Sequence, residues 1–170
     1  MTLTRNSDPN YYTDAPSLSN CGSYAFGITG WFRPYRSEWE RRNLIMTMYE
    51  DGCSAHEIEE ALLKSDVSFM KEIFGGALST YENLSSIPDS KKVIAYRICV
   101  DLDDFNGDYY TDFHFKVREN GKWMHKQGSM PPEECELDSK NDWGLLEDDD
   151  ETILHYYDSP IIYLVYDEEI

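Results

Sequence analysis

The sequence predicts an α+β fold in which N-terminal helices pack on a small antiparallel sheet. Helix-capping signals and helical spacing of apolar residues occur through residues 37–74, whereas residues 92–101 are dense in Val, Ile, Tyr and Cys, which is typical of a buried strand. Asn120-Gly121, between two apolar segments, is a strong hairpin signal. With 170 residues, 41% of them hydrophobic, the chain is expected to bury a core as a single domain, residues 1–170.

The first helix is expected at Cys21, after an irregular N-terminal arm of residues 1–19. The arm is rich in Asn, Asp, Ser and Pro and shows no hydrophobic period. Asn20 is a favoured N-cap residue, and apolar residues follow it before Gly27. These signals predict a short helix whose first turn contains the cysteine.

Capping boxes predict the longer helices. Ser37 and Glu40 form one box before apolar residues at helical spacing, which predicts a helix over residues 38–50. A second box at Ser54 opens another helix. Asp66 is expected to cap a separate, third helix that runs to the following glycine pair.

Strands are predicted in the second half, and they cover residues 92–101, 112–118, 122–127 and 160–166. Residues 79–90 are expected to form a linker, because Ser, Asn and Pro are frequent there. Residues 129–151 are expected to form a long acidic connection of low order.

The hairpin register decides which side chains share a face of the sheet. With the Asn-Gly dipeptide as a two-residue loop, Val117 faces Met124 and His114 faces Gln127. Alternation predicts a polar face that holds Asp112, His114, Lys116, Arg118, Trp123, His125 and Gln127. The opposite face, which is expected to join the core, holds Phe113, Phe115, Val117, Met124 and Lys126.

Composition limits the classes of function. The net charge of −18 would repel nucleic-acid phosphates and anionic membrane surfaces, so neither is an expected partner. The N-terminus lacks the apolar core of a signal peptide, and no later segment has the length of an apolar membrane span. A cytoplasmic protein is therefore expected, with export by a signal-independent route left open.

The sequence predicts neither a metal site nor a cofactor. Its four cysteines, Cys21, Cys53, Cys99 and Cys135, lack the paired spacing of zinc sites or dense disulfide frameworks. The acidic run at residues 101–108 lacks the spacing of an EF-hand loop and is expected to be a solvated loop. The run at residues 147–151 is expected to be another such loop or a contact for a basic partner.

Cys21 and His114 are the candidate nucleophile and general base of a thiol hydrolase. The thiolate is the attacking species, and a helix N-terminus together with an imidazolium lowers the pKa of a thiol. The base also needs an orienting group, for which His125 and Gln127 on the same face are candidates. The alternatives are that Cys21 is a buried structural thiol and His114 a structural histidine.

Three blocks of sequence carry these candidates, namely Asn20-Cys21-x-x-Tyr24-Ala25, Asp112-Phe113-His114-Phe115 and Trp123-x-His125-Lys126-x-Gly128. They resemble the Cys and His blocks of papain-like cysteine hydrolases, including the NlpC/P60 type. The resemblance implies a fold of that type, with Cys21 as nucleophile, His114 as base and His125 as the third catalytic residue.

The resemblance also implies an oxyanion hole that includes the backbone amide of Cys21. Papain has a glutamine six residues before its nucleophile, where this sequence has Ala15. The resemblance therefore implies another donor, for which Asn20 and Ser23 are candidates.

Two hypotheses follow. The first is a thiol hydrolase that cleaves a peptide, isopeptide or side-chain amide through a thioester intermediate, with a peptide or protein as substrate. Wall-directed NlpC/P60 enzymes are usually exported, and the missing signal peptide argues against peptidoglycan as substrate. The second hypothesis is a non-catalytic acidic interaction or inhibitor protein, which mimics DNA charge and binds a basic partner.

Overall fold

The computed structural model describes residues 3–102, 110–146 and 153–167, and it has the predicted α+β architecture. The helices precede the strands, and they are α1 (Tyr11–Asp14), α2 (Cys21–Phe26), α3 (Glu38–Glu50) and α4 (Ala55–Phe74). The strands are β1 (Leu78–Tyr81), β2 (Val93–Asp101), β3 (Tyr110–Glu119), β4 (Lys122–Lys126), β5 (Pro132–Cys135), β6 (Gly144–Leu146), β7 (Ile153–Tyr156) and β8 (Ile162–Tyr166). Within the described ranges, no helix is long and apolar enough to span a membrane.

Six strands form one antiparallel sheet in the order β1-β8-β2-β3-β4-β5, while β6 and β7 pair separately. The hairpin register is confirmed where the two strands pair, because Val117 faces Met124. Asn120 and Gly121 have φ angles of 55° and 78°. Positive φ at both loop residues is what a type I′ turn requires, which explains the Asn-Gly dipeptide.

Helices α2 and α4 cover one face of the large sheet. Phe26 of α2 stacks on Phe74 of α4 with a centroid separation of 4.3 Å, and Phe115 of β3 packs edge-on against Phe26. Val117 and Met124 join the same cluster, so this face of the hairpin belongs to the core as predicted.

The opposite face of the hairpin carries the polar residues, as predicted, and several of them are buried. Trp143 and Tyr157 both pack against His114, and Trp143 also covers Lys116. His125 is buried as well. The Lys116 ammonium lies 4.1 Å from the centroid of the Trp143 ring and donates to the carbonyl of Glu136. Burial is tolerated because these polar groups have partners inside the protein.

The prediction of low order for residues 129–151 was wrong for its described part. Strands β5 and β6 and a 3₁₀ turn at Asn141–Trp143 lie there. The buried Trp143 anchors this acidic segment on the sheet, and its indole donates to the carbonyl of Leu137. Residues 147–151, and 103–108 of the other acidic run, lie outside the described residues.

The predicted break at Asp66 is also wrong, because α4 is continuous from Ala55 to Phe74. The Asp66 carboxylate accepts hydrogen bonds from Arg41 of α3 at 2.6 Å and from the Tyr96 hydroxyl of β2 at 2.5 Å. A carboxylate satisfied by these tertiary partners does not compete for its own backbone, so the helix passes through it. Similarly, β1 lies at the start of the expected linker at residues 79–90.

Candidate active site

Helix α2 begins at Cys21, as predicted, with Asn20 as its N-cap. The Asn20 side-chain oxygen accepts from the Ser23 amide at 3.1 Å, and the Ser23 hydroxyl accepts from the Asn20 amide at 2.9 Å. The Asn20 carboxamide also bonds both backbone groups of Phe32. The position of Cys21 is therefore set by a cap that is itself attached to the loop after α2.

The start of α2 lies very close to β3, and Gly22 makes this approach possible. A Cβ atom at Gly22 would lie 2.7 Å from the Phe32 ring and 3.2 Å from the Phe115 ring. A larger residue would push the helix away from the strand that carries His114.

Cys21 and His114 line the same cavity, which has a volume of about 440 Å³. The cavity lies between the start of α2, the start of β3 and the loop after β4, and Gln127 and Tyr157 also line it. The structure thus brings together two candidates that are separated by more than ninety positions in the sequence.

His114 is oriented by a chain of hydrogen bonds that leads away from the cavity. Its Nε2 atom lies 2.9 Å from Nδ1 of His125 on β4. Nε2 of His125 in turn lies 3.2 Å from the Oε1 atom of Glu133 on β5. Of the two predicted orienting candidates, His125 holds His114, whereas Gln127 lines the cavity. Sequence analysis missed Glu133, because no strand was predicted at that position.

Two aromatic rings enclose His114. The Tyr157 ring stacks on it with a centroid separation of 5.3 Å, and Trp143 meets it edge-on at 5.9 Å. The Tyr157 hydroxyl donates to the Asp112 carboxylate at 2.8 Å, which fixes the stacked ring. Sequence analysis missed both aromatic residues, since they follow no motif and reach the site only through the fold.

The titration behaviour of Cys21 is opposite to that expected from the sequence. Burial raises the pKa of the Cys21 thiol to about 12, hydrogen bonds from the backbone of Phe115 and Gly22 lower it, and the Asp112 charge raises it. Burial lowers the pKa of His114 well below 6.5, and the charges of His125 and Lys116 act in the same direction. The resting site at neutral pH therefore holds a neutral thiol and a neutral imidazole.

The three side chains proposed as oxyanion or orienting groups differ in their positions. Asn20 lines the cavity, but its carboxamide is engaged with Ser23 and Phe32. Ser23 is buried in the capping box and is not among the described residues that line the cavity. Gln127 lines the cavity and takes no part in the capping box. Of the three, it is therefore the best placed to donate a hydrogen bond to a molecule in the cavity.

Lys126 ties the surrounding loops to the site. It lies on the predicted core face and is fully buried, and its ammonium donates to the carbonyls of Pro16, Ser19 and Gly128. These bonds connect the N-terminal arm, which contains α1 and a 3₁₀ turn at Pro16–Leu18, to β4. Three acceptors match the three donors of an ammonium group.

The rim of the cavity is apolar and exposed. Trp31 is 59% exposed and Met130 is 44% exposed, and both line the cavity. No Lys or Arg is found among the lining residues in the described ranges. Such a surface suits an apolar or uncharged group of a bound molecule.

Residues with metal-binding chemistry are not clustered in the described ranges, where no group of three or more His, Cys, Asp or Glu side chains is arranged to hold an ion.

Comparisons with protein-family models, with curated proteins and with solved structures find no match to this chain.

Proposed function

We propose that this protein is a cysteine hydrolase with a papain-like, NlpC/P60-like arrangement, which cleaves a peptide, isopeptide or side-chain amide. The observation that carries the proposal is the cavity that Cys21 and His114 line together. Outside this cavity, Nε2 of His114 is hydrogen-bonded to Nδ1 of His125. A nucleophile at a helix start, a base on a strand and an orienting residue on the next strand are what the resemblance implies.

Acylation begins from the neutral pair. The Cys21 sulfur attacks the substrate carbonyl carbon while His114 takes the thiol proton, so a C–S bond forms as the S–H bond breaks. The backbone amide of Cys21 and the carboxamide of Gln127 are the proposed donors to the oxyanion. Collapse of the tetrahedral intermediate breaks the C–N bond, and the His114 imidazolium gives its proton to the departing amine.

Deacylation returns the enzyme to its starting state. A water molecule attacks the thioester carbonyl while His114 accepts one of its protons. The C–S bond then breaks, the acid product leaves, and the imidazolium returns the proton to sulfur. The apolar rim at Trp31 and Met130 is proposed to bind the side chain of the acyl donor.

Alkylation of the cysteines by iodoacetamide near neutral pH, followed by mass spectrometry, tests the proposal. Cys99 and Cys135 are internal controls, because both are buried and burial raises the pKa of each to about 12, as for Cys21. We expect Cys21 to react about ten-fold faster than either, since Cys21 lines a cavity together with His114 as a candidate base.

Variants show whether His114 is responsible. His114→Gln should slow labelling of Cys21 to the rate of Cys99, whereas His56→Gln, on the exposed surface of α4, should leave it unchanged. Circular dichroism checks that both variants are folded. If Cys21 reacts as slowly as Cys99 in the wild-type protein, or if His114→Gln changes nothing, the hydrolase proposal is wrong and the acidic interaction protein is favoured.

A further inference from the structure

We infer that Glu133 is a positioning residue that sets the tautomer of His125 and, through it, the tautomer of His114. The inference rests on the proposed function, and it adds a role for a residue on β5 that touches neither the cavity nor Cys21. Glu133 lies directly opposite His125 in the register of β4 and β5.

The positions of the hydrogens on the two histidine rings follow from the number of donors and acceptors in this series of hydrogen bonds. A carboxylate can only accept, so Nε2 of His125 must carry the hydrogen that bonds Glu133 at 3.2 Å. A neutral imidazole carries one N–H, so Nδ1 of His125 is bare and accepts from Nε2–H of His114 at 2.9 Å. The remaining nitrogen of His114, Nδ1, is then unprotonated and is able to take the thiol proton.

Both histidines must be neutral for this argument, and the structure favours that state. Burial lowers the pKa of His114 and of His125. The two rings are buried, so solvent does not replace the bond between them. The Glu133 side chain is 60% exposed. The series of hydrogen bonds from His114 through His125 therefore ends at the protein surface.

Without an acceptor at position 133, His125 is free to carry its hydrogen on Nδ1. Nε2 of His114 would then have to accept, and the His114 hydrogen would move to Nδ1, where it blocks transfer from the thiol. The buried aspartate of a Ser-His-Asp triad prevents the wrong tautomer in the same way. Here the acidic group acts through a second histidine.

Substitutions at position 133 test the inference through the rate of Cys21 alkylation. Glu133→Ala removes the acceptor. It should slow the alkylation of Cys21 about ten-fold, which corresponds to the loss of one charge-assisted hydrogen bond. Glu133→Lys places a donor there, favours the wrong tautomer and should slow Cys21 further. Formate should restore the rate in Glu133→Ala, because the position is open to solvent, but not in Glu133→Lys.

Glu134 offers a matched control. It is exposed on the same strand, faces Met124 and carries the same charge. Glu134→Ala and Glu134→Lys should leave the Cys21 rate within about two-fold of wild type, since they change only the general field. A loss at position 134 equal to that at position 133 would show an effect of charge alone and would overturn the inference.

¹⁵N NMR of the histidine rings provides a readout independent of reactivity. In the wild-type protein, His114 should carry its hydrogen on Nε2 and have a bare Nδ1, and Glu133→Lys should reverse this. A hydrogen on Nδ1 of wild-type His114 overturns the inference. If His114→Gln slows Cys21 and neither variant at position 133 does, the inference fails and the proposed function stands. If His114→Gln has no effect, the proposed function itself fails.

Discussion

His114 shows how the surroundings of a single residue decide its chemistry. It lies between Tyr157 and Trp143, and the nearby Lys116 adds a positive charge. Burial beneath these rings lowers the pKa of His114, and the charges of His125 and Lys116 act in the same direction. A neutral imidazole is what a general base needs before the reaction, so the enclosure is consistent with the proposed role.

The buried neutral His114 predicts a loss of stability in acid. In the unfolded chain it takes a proton near its ordinary pKa of 6.5, whereas in the folded protein its pKa is well below that. The unfolded state therefore binds more protons as the pH falls below 6.5, and the free energy of unfolding decreases until the folded pKa is reached. Urea unfolding at a series of pH values measures this dependence.

A variant identifies the residue responsible for the acid effect. His114→Gln should reduce the dependence of stability on pH below 6.5, because glutamine does not titrate. Equal dependence in the wild type and in His114→Gln would contradict the assignment.

At the scale of elements, α2 is a short helix whose position depends on its cap. Its six residues are too few for stability on their own, so the bonds between Asn20, Ser23 and Phe32 and the close packing at Gly22 hold it. The same contacts place Cys21 beside β3. The stability of this helix and the position of Cys21 therefore depend on the same contacts.

Asn20→Ala should cost more than the loss of an ordinary cap. Removing the cap costs about 1 kcal/mol, and leaving the buried Phe32 backbone groups without partners adds about 1–3 kcal/mol. The variant should also slow alkylation of Cys21. Ser54→Ala removes the exposed cap of α4 and should cost only about 1 kcal/mol, with no change at Cys21. Similar costs and unchanged labelling in both variants would show that the cap does not position the cysteine.

Local signals were sufficient to predict several elements and insufficient for others. The starts of α2, α3 and α4 follow from side chains that bond backbone groups three residues away, and the β3-β4 turn follows from two residues with positive φ. Asp66 does not cap a helix, because its partners, Arg41 and Tyr96, come from other elements. A polar residue that can cap a helix looks the same in the sequence whether it caps or is paired elsewhere.

At the scale of the whole molecule, the net charge of −18 acts on whatever approaches the cavity. The fields of the acidic side chains add, and salt screens their sum over about 10 Å at an ionic strength of about 0.1 M. The summed field favours the approach of neutral or cationic molecules over anionic ones, and the rim residues Trp31 and Met130 are themselves uncharged and apolar.

The charge of the alkylating reagent tests this effect. The quantity to compare is the rate with neutral iodoacetamide divided by the rate with anionic iodoacetate. This ratio should be about 3–10-fold larger for Cys21 than for a small neutral thiol, because the acidic protein repels the anion. High ionic strength should remove most of the difference. A ratio equal to that of the small thiol at low salt would show that the net charge has no influence at the cavity.

The sequence by itself determined that Cys21 starts a helix and that His114 and His125 share one face of a hairpin. Caps, turns and strand alternation are short-range geometry, so neighbouring residues suffice to specify them. Only the tertiary structure decided that this face is buried, that burial raises the pKa of Cys21 and lowers that of His114, and that Glu133 ends the chain of hydrogen bonds. Desolvation and pairing depend on groups such as Trp143 and Tyr157, which lie far along the chain and reach the site only when it folds.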